Sequence, residues 1–157
     1  MDIFIEHIVR KKKDAKSYAV ITLTVIAGVI ALYFAPFLGA FAIFFVVAVG
    51  YAVYLVVTAQ NVEFEYSITN SELDIDKIIY RRKRKRVLTL EMDKIARMEP
   101  FIGHIPPGMK IRKYCGALTG SSLYYAIFDQ GKGREVLLFE PTEKMLAAFK
   151  KYKVTGV

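Results

Sequence analysis

Six consecutive cations, Arg81, Arg82, Lys83, Arg84, Lys85 and Arg86, form the densest run of reactive side chains in the sequence. Such a run suits contact with an anionic surface: bilayer headgroups, an acidic protein face or nucleic acid. Lys11, Lys12 and Lys13, flanked by Arg10 and Lys16, make a second cluster near the start. Six adjacent cations cannot be buried on either face of a sheet, so the first run is expected at a hairpin tip or at frayed strand ends. A plainer reading gives the run no role beyond topology and solubility. Nucleic acid is the least favoured partner, because no aromatic platform for base stacking surrounds the run.

The other residues able to do chemistry are scattered. Asp74 and Asp76 share one face of an alternating segment, where paired acids are ordinarily solvated surface. His7 and His104 lie on opposite sides of a long apolar stretch, and no HExxH or CxxC spacing is present, so neither a metal nor a cofactor is expected. Cys115, beside Tyr114, has no assigned histidine or carboxylate partner and reads as a partly buried small residue rather than a nucleophile. A lone cysteine permits no intrachain disulfide and agrees with a reducing compartment. Residues 116–122 are rich in glycine and serine but lack the GKS or GKT ending of a phosphate-binding loop. The chain is expected not to be an enzyme.

What positions these residues is residues 17–59, a stretch with no charged side chain. A bilayer core is crossed by about 20 apolar helical residues, so the stretch is about twice what one crossing needs. Ala35-Pro36-Phe37-Leu38-Gly39 breaks it, since proline removes a donor and glycine tolerates unusual dihedrals. Two transmembrane helices are therefore predicted, 17–34 and 39–59. Ala27, Ala31 and Ala35 fall four apart, as do Ala48 and Ala52, a spacing that lets helices approach within the hairpin or against another subunit. A soluble core pair would carry polar residues on one face. A cleaved signal peptide, suggested by Ala40-Phe41-Ala42, would have a shorter apolar region. Basic residues flank the stretch on both sides, and lysine and arginine favour the cytosol, so both termini are expected there, with the protein in a cytoplasmic membrane.

The formal charge of +8 is shared: five basic residues face three acidic ones in 1–16, and 18 face 12 in 60–157. Residues 1–16 read as a basic leader, either an interfacial helix with Ile5, Ile8 and Val9 on one side or a frayed segment. Residues 60–157 have room for one small domain. Val62, Phe64, Tyr66 and Ile68 alternate with polar residues as a half-buried strand. Thr69-Asn70-Ser71 is a turn, and a second strand runs through Tyr80. Strands are also predicted over 87–92, 109–115, 123–128 and 135–140. Residues 93–99 are expected to connect, 100–108 to be irregular, and 129–133 to form a hairpin turn. In the final strand, apolar residues on both faces suggest that the following helix covers one side. That helix is signalled by Pro141 at its first position, by Glu143 in its first turn, and by Lys150, Lys151 and Lys153 near its end. Met145, Leu146, Phe149 and Tyr152 form its apolar stripe.

The run from Tyr66 to Asp76 (YSITNSELDID), the basic pair Arg81-Arg82 and the segment from Val87 to Ile95 (VLTLEMDKI) resemble the opening of bacterial pleckstrin-homology-like (PH-like) domains. The whole chain resembles a small family of bacterial membrane proteins, mainly from Gram-positive anaerobes, in which a two-helix hairpin precedes such a domain. The resemblance implies an α+β fold: a small antiparallel barrel or bent sheet, capped by a C-terminal helix. It also implies a protein-binding or scaffolding role. The expected function is a non-catalytic membrane-anchored module that contacts anionic lipid, another protein or a second copy of itself. The alternative is an accessory subunit that uses the helix hairpin as its interface within a larger membrane complex.

Overall fold

Alternation of apolar and polar residues builds two bent, separate four-stranded sheets. The computed structural model describes residues 4–105, 107–118, 122–131, 133–152 and 154–156. Within them the chain runs β1 (Phe4–Arg10), α1 (Ala15–Tyr33), a 3-10 segment (Ala35–Phe41), α2 (Ala42–Ala59), β2 (Val62–Thr69), β3 (Glu72–Ile79), β4 (Lys83–Glu91), a 3-10 turn (Met92–Lys94), β5 (Ile95–Pro100), β6 (Lys110–Lys113), β7 (Tyr124–Asp129), β8 (Arg134–Phe139) and α3 (Glu143–Lys151). The expected contributions of Ile3, Pro106, residues 119–121, Lys132 and Lys153 lie outside the described residues. The chain divides into two compact units, one of residues 1–11 with 63–157, the other of residues 12–62.

The first sheet has the order β1-β2-β3-β4. Its first strand corrects the sequence reading: residues 4–10 are neither an interfacial helix nor frayed, but an edge strand antiparallel to β2, in register from Phe4 opposite Thr69 to Arg10 opposite Glu63. The two-residue period was hidden because His7 turns inward beside Tyr66, with ring centroids 6.1 Å apart, while Ile8 stays exposed. Inward residues Phe64, Tyr66, Ile68, Leu73, Ile75, Leu88 and Leu90 are buried. β4 also begins earlier than expected, at Lys83 rather than Val87.

The second sheet has the order β5-β7-β8-β6, and β6 runs parallel to β8. Of the two expected forms, a small antiparallel barrel or a bent sheet, the fold takes the bent, open one, in two sheets rather than one, and the second sheet carries a parallel edge pair. Residues 95–99, expected as part of a connection, and Pro100, expected to be irregular, form β5 against β7. A register shift between Ile95 and Arg97 breaks their alternation, which removed the strand signal. β8 is buried on both faces. Leu137 and Phe139 face the main core, where Phe139 meets Tyr66 and Phe149 edge-on. Val136 and Leu138 join Cys115, Leu123 and Tyr125 in a second cluster, covered by Phe101 and Ile105 from the loop expected to be irregular and by Met109, expected to open a strand but lying just before β6. α3 covers one face of β8, as its composition suggested, and this loop covers the other. Thr142 rather than Pro141 starts the helix, its hydroxyl accepting from the Met145 N–H. Past α3 the chain turns back, and the Met98 N–H donates to the Thr155 carbonyl at 2.8 Å.

The helical unit is an antiparallel pair. Asp14 caps α1 by accepting from the Ser17 N–H at 2.9 Å. Gly39, with φ 54° and ψ −125°, makes the bend between the helices. The spans Ala15–Tyr33 and Ala35–Ala59 are long and apolar enough to cross a membrane. The least exposed positions of the first helix and bend are Ser17, Ile21, Thr24, Gly28, Ala31 and Ala35, spaced three and four apart as one face requires.

Candidate functional site: the basic hairpin end of the first sheet

The basic run occupies the β3–β4 turn and the first half of β4. The turn is tight: the Arg82 N–H donates to the Ile79 carbonyl at 3.2 Å. Tyr80 and Arg81 both hold left-handed dihedrals, φ 51° and 54°. Ile79 pairs with Lys83, so the loop has three residues, Tyr80 to Arg82, and left-handed positions in such loops ordinarily take Gly or Asn. Bulky side chains in this region cost on the order of 1 kcal/mol each and mark strain where they persist. The β2–β3 turn places Asn70 there, at φ 54°, a residue that tolerates it.

Strand alternation then divides the run in two. Arg84 and Arg86 share the outer face with Asp74 and Asp76, while Lys83 and Lys85 share the opposite face with Lys77. A register shift beside Asp76 leaves Val87 unpaired between Leu88 and Arg86, and keeps acids and arginines aligned. On the outer face Arg84 pairs with Glu65 and, at 3.0 Å, with Asp76. Arg86 reaches Asp74 at 2.9 Å and Asp76 at 3.0 Å. Its hydrogen bond to Asp76 raises the guanidinium above its ordinary value. Glu65 and Asp76 are each 6% exposed, so they need these partners. Arg10 lies 2.9 Å from Glu63, and Arg81 lies 4.0 Å from the same carboxylate. Arg10 and Glu63 are the last pair of the β1–β2 ladder. The basic turn therefore sits at the end of the sheet where the chain leaves for residues 11–14.

Of the six predicted cations, Arg81, Arg84 and Arg86 are thus engaged by the sheet's own acids. Arg82 stands 5.4 Å over the Tyr80 ring, a cation–π contact. Lys83, Lys85 and Lys77 make no ion pair among the described residues. Lys77 and Lys85 are directly opposed across the ladder, an arrangement that is destabilising unless an anion intervenes. Lys11, Lys12 and Lys13 lie in the connection after β1. Sequence reasoning missed Glu63, Glu65 and Lys77. The signal was present in the shared two-residue parity of Glu63/Glu65, Asp74/Asp76 and Arg84/Arg86.

Among the proposed helix-packing residues, Ala31 is half-buried and Ala35 buried, whereas Ala27, Ala48 and Ala52 are exposed in the hairpin. Gly28 lies close against the facing helix, where an added Cβ would be 2.8 Å from the Val53 side chain.

The remaining reactive residues do not converge. Asp74 and Asp76 belong to the ionic lattice, and His104 is in an exposed loop. Burial and the nearby Glu140 carboxylate push the Cys115 thiol up to about 11, leaving it protonated and unreactive at neutral pH. Tyr66 donates its hydroxyl hydrogen to the Tyr114 carbonyl and accepts from the Glu140 N–H at 3.4 Å. Burial raises this phenol far above its usual range. Glu140 Oε1 in turn accepts from the Gly116 and Ala117 N–H groups at 2.8 and 3.1 Å. No cluster of metal-ligating side chains occurs among the described residues.

Two open, bent sheets closed by one C-terminal helix, with a charged hairpin at one end, define a PH-like binding domain. The chain belongs to the family described as the bacterial PH-like domain (DUF6106), which it matches over residues 1–157, helices included. PH-like domains are non-catalytic binding modules, and this chain is one of them rather than an enzyme. No curated protein and no solved structure matches it.

Proposed function

We propose that the protein is a membrane-anchored binding module that holds its PH-like domain at the cytosolic leaflet and contacts anionic headgroups through Lys77, Lys83 and Lys85, with Arg82 beside them. The observation that carries this reading is the division of the basic run. The outer-face arginines are neutralised by Glu65, Asp74 and Asp76, whereas the opposed lysines have no acid partner among the described residues. Chain connection supports the placement. Residues 11–14 separate Arg10 from the start of α1, less than about 18 Å at full extension. With α1 and α2 spanning the bilayer and both termini cytosolic, that end of the first sheet is held near the headgroups. There each cation contributes on the order of 1 kcal/mol.

The test uses the full chain in nanodiscs of phosphatidylcholine with and without phosphatidylglycerol, pulsed with an amine-acetylating reagent. Lys77, Lys83 and Lys85 should be protected in the anionic discs, and high salt should restore their labelling. Lys144, on α3, should label equally in both. Equal labelling of the three lysines in the two discs would remove the headgroup reading.

A second reading, the accessory subunit, is favoured by one observation: Ala48 and Ala52 are four apart and exposed in the hairpin. Purification in mild detergent decides it, because a stoichiometric integral-membrane partner would identify the hairpin as an interface between proteins.

A further inference from the structure

Where the second sheet approaches Arg10, it carries exposed apolar side chains on a rigid base. Ile102 is 90% exposed and Leu118 48%. On either side of Ile102, Phe101 and Ile105 are packed against the cluster of Cys115, Leu123, Tyr125, Val136 and Leu138. The Phe101 N–H also donates to the Leu123 carbonyl at 2.8 Å. The loop is thus pinned on both sides of a residue it leaves in the open, and Gly103 makes the bend with φ 93°. Leu118 follows Gly116 and Ala117, which are fixed by Glu140.

The strand register locates these loops. Pro100 pairs with Tyr124 and Tyr124 with Phe139, so the two loops and Glu140 share one end of the second sheet. Gly116 ties that end to the first sheet, because a Cβ there would lie 2.7 Å from the Arg10 carbonyl oxygen. Ile102 and Leu118 therefore emerge at the end of the domain from which the chain continues to α1. Lys11 follows Arg10, and Lys113, paired with Leu138, ends β6 close to Glu140, so cations lie at the same end of the domain as the apolar tips. Exposed apolar tips with lysines at the same end suit a segment that enters the boundary between headgroups and acyl chains.

We propose that the loop after β5 inserts Ile102, with Leu118 beside it, into the headgroup–acyl boundary of the cytosolic leaflet. The inserted side chain gives the PH-like domain a fixed footing on the membrane, where the lysines alone would leave it free to rock. This inference rests on the membrane reading above, and the experiment separates the two. The chain contains no tryptophan, so single-tryptophan variants of the full-length protein report their own surroundings. Three are placed in bilayers with and without acyl-brominated lipid: Ile102→Trp at the tip, Val47→Trp on the exposed surface of α2, and Arg134→Trp at the far end of β8.

The expected result is a blue-shifted emission and loss of intensity in brominated lipid for Ile102→Trp and Val47→Trp, with neither for Arg134→Trp. Quenching at Val47→Trp without quenching at Ile102→Trp would overturn the insertion and leave the anchor standing. Absence of quenching at Val47→Trp would overturn both. Quenching at Arg134→Trp as strong as at Ile102→Trp would also overturn the insertion, because the far end of the domain would meet lipid equally.

Discussion

The two sheets treat their outward faces in opposite ways. On the first, the face away from the core is an ionic lattice in which Arg84 and Arg86 bind Glu65, Asp74 and Asp76 across three strands. On the second, Val136 and Leu138 are apolar and buried, and the loop carrying Phe101, Ile105 and Met109 covers them. One sheet thus satisfies its second face by pairing side chains, whereas the other folds chain over it. The difference teaches where binding capacity is left over. In the lattice, acids on the outer face take up the arginines, so the lysines on the other face of β4 keep their charge unmatched among the described residues. In the covered sheet, the loop needed to bury apolar side chains projects Ile102.

The largest effect should come from the strand that completes the ionic sheet. Deleting residues 1–10 leaves the β2 edge unpaired and exposes the core beside Val9. The domain should then lose its cooperative unfolding transition. By contrast, exchanging residues 11–62 for Asn-Gly, which joins Arg10 to Glu63 at the end of their ladder, should give a folded, water-soluble domain. Circular dichroism melts of the two proteins check this. An exchanged chain that fails to fold would mean that the helices are part of the domain's stability rather than an insertion between β1 and β2.

The next effect concerns the bond that joins the sheets. Tyr66 lies on β2, and its hydroxyl serves the Tyr114 carbonyl and the Glu140 N–H beyond β6 and β8. Tyr66→Phe leaves those groups without this partner in a buried site and should cost about 1–3 kcal/mol in denaturant unfolding. A loss near zero would show that the sheets are held together by the aromatic stack of Tyr66, Phe139 and Phe149 alone.

The smallest of these effects is a dependence on acid that belongs to the second sheet. The hydrogen bond from Arg112 lowers Glu135 below the usual carboxylate value of 4.5. Hydrogen bonds from Tyr125 and then Arg97 do the same for Glu99. A carboxylate lowered in the folded state contributes stability that is fully present above its unfolded value. That contribution disappears as pH falls through the folded value. The unfolding midpoint should therefore decline below about pH 4.5, and Glu99→Gln with Glu135→Gln should flatten the decline. An unchanged profile in the double variant would assign acid sensitivity to the ionic lattice instead.

Much of the fold was legible because it rests on local pattern. The alternation of Val62, Phe64, Tyr66 and Ile68, the turn at Asn70 and the apolar stripe through Met145 and Phe149 follow from periods of two and 3.6 residues. The break around Pro36 and Gly39 follows from their backbone chemistry. β1 and β5 were not legible for the same reason in reverse. His7 points inward and Ile8 outward in β1, and a register shift interrupts β5, so neither presents a regular period. The candidate site was half legible. Composition located the basic run, but which cations it leaves unmatched depends on partners in β2 and β3.

By itself the sequence determined the two apolar spans, the position of the bend between them, most of the strands, and the concentration of charge at residues 81–86. Each of these is a property of neighbouring residues. Tertiary structure alone decided that residues 4–10 return to pair with β2 across the whole helical insertion, and that β6 lies parallel to β8. It also decided that Arg84 and Arg86 spend their charge on Glu65, Asp74 and Asp76 while Lys77 and Lys85 stand opposed. These outcomes depend on which segments meet across long stretches of chain, and on which face each side chain takes when they do. Strand pairing fixes both at once, because a shift of one residue in register exchanges every side chain between the two faces.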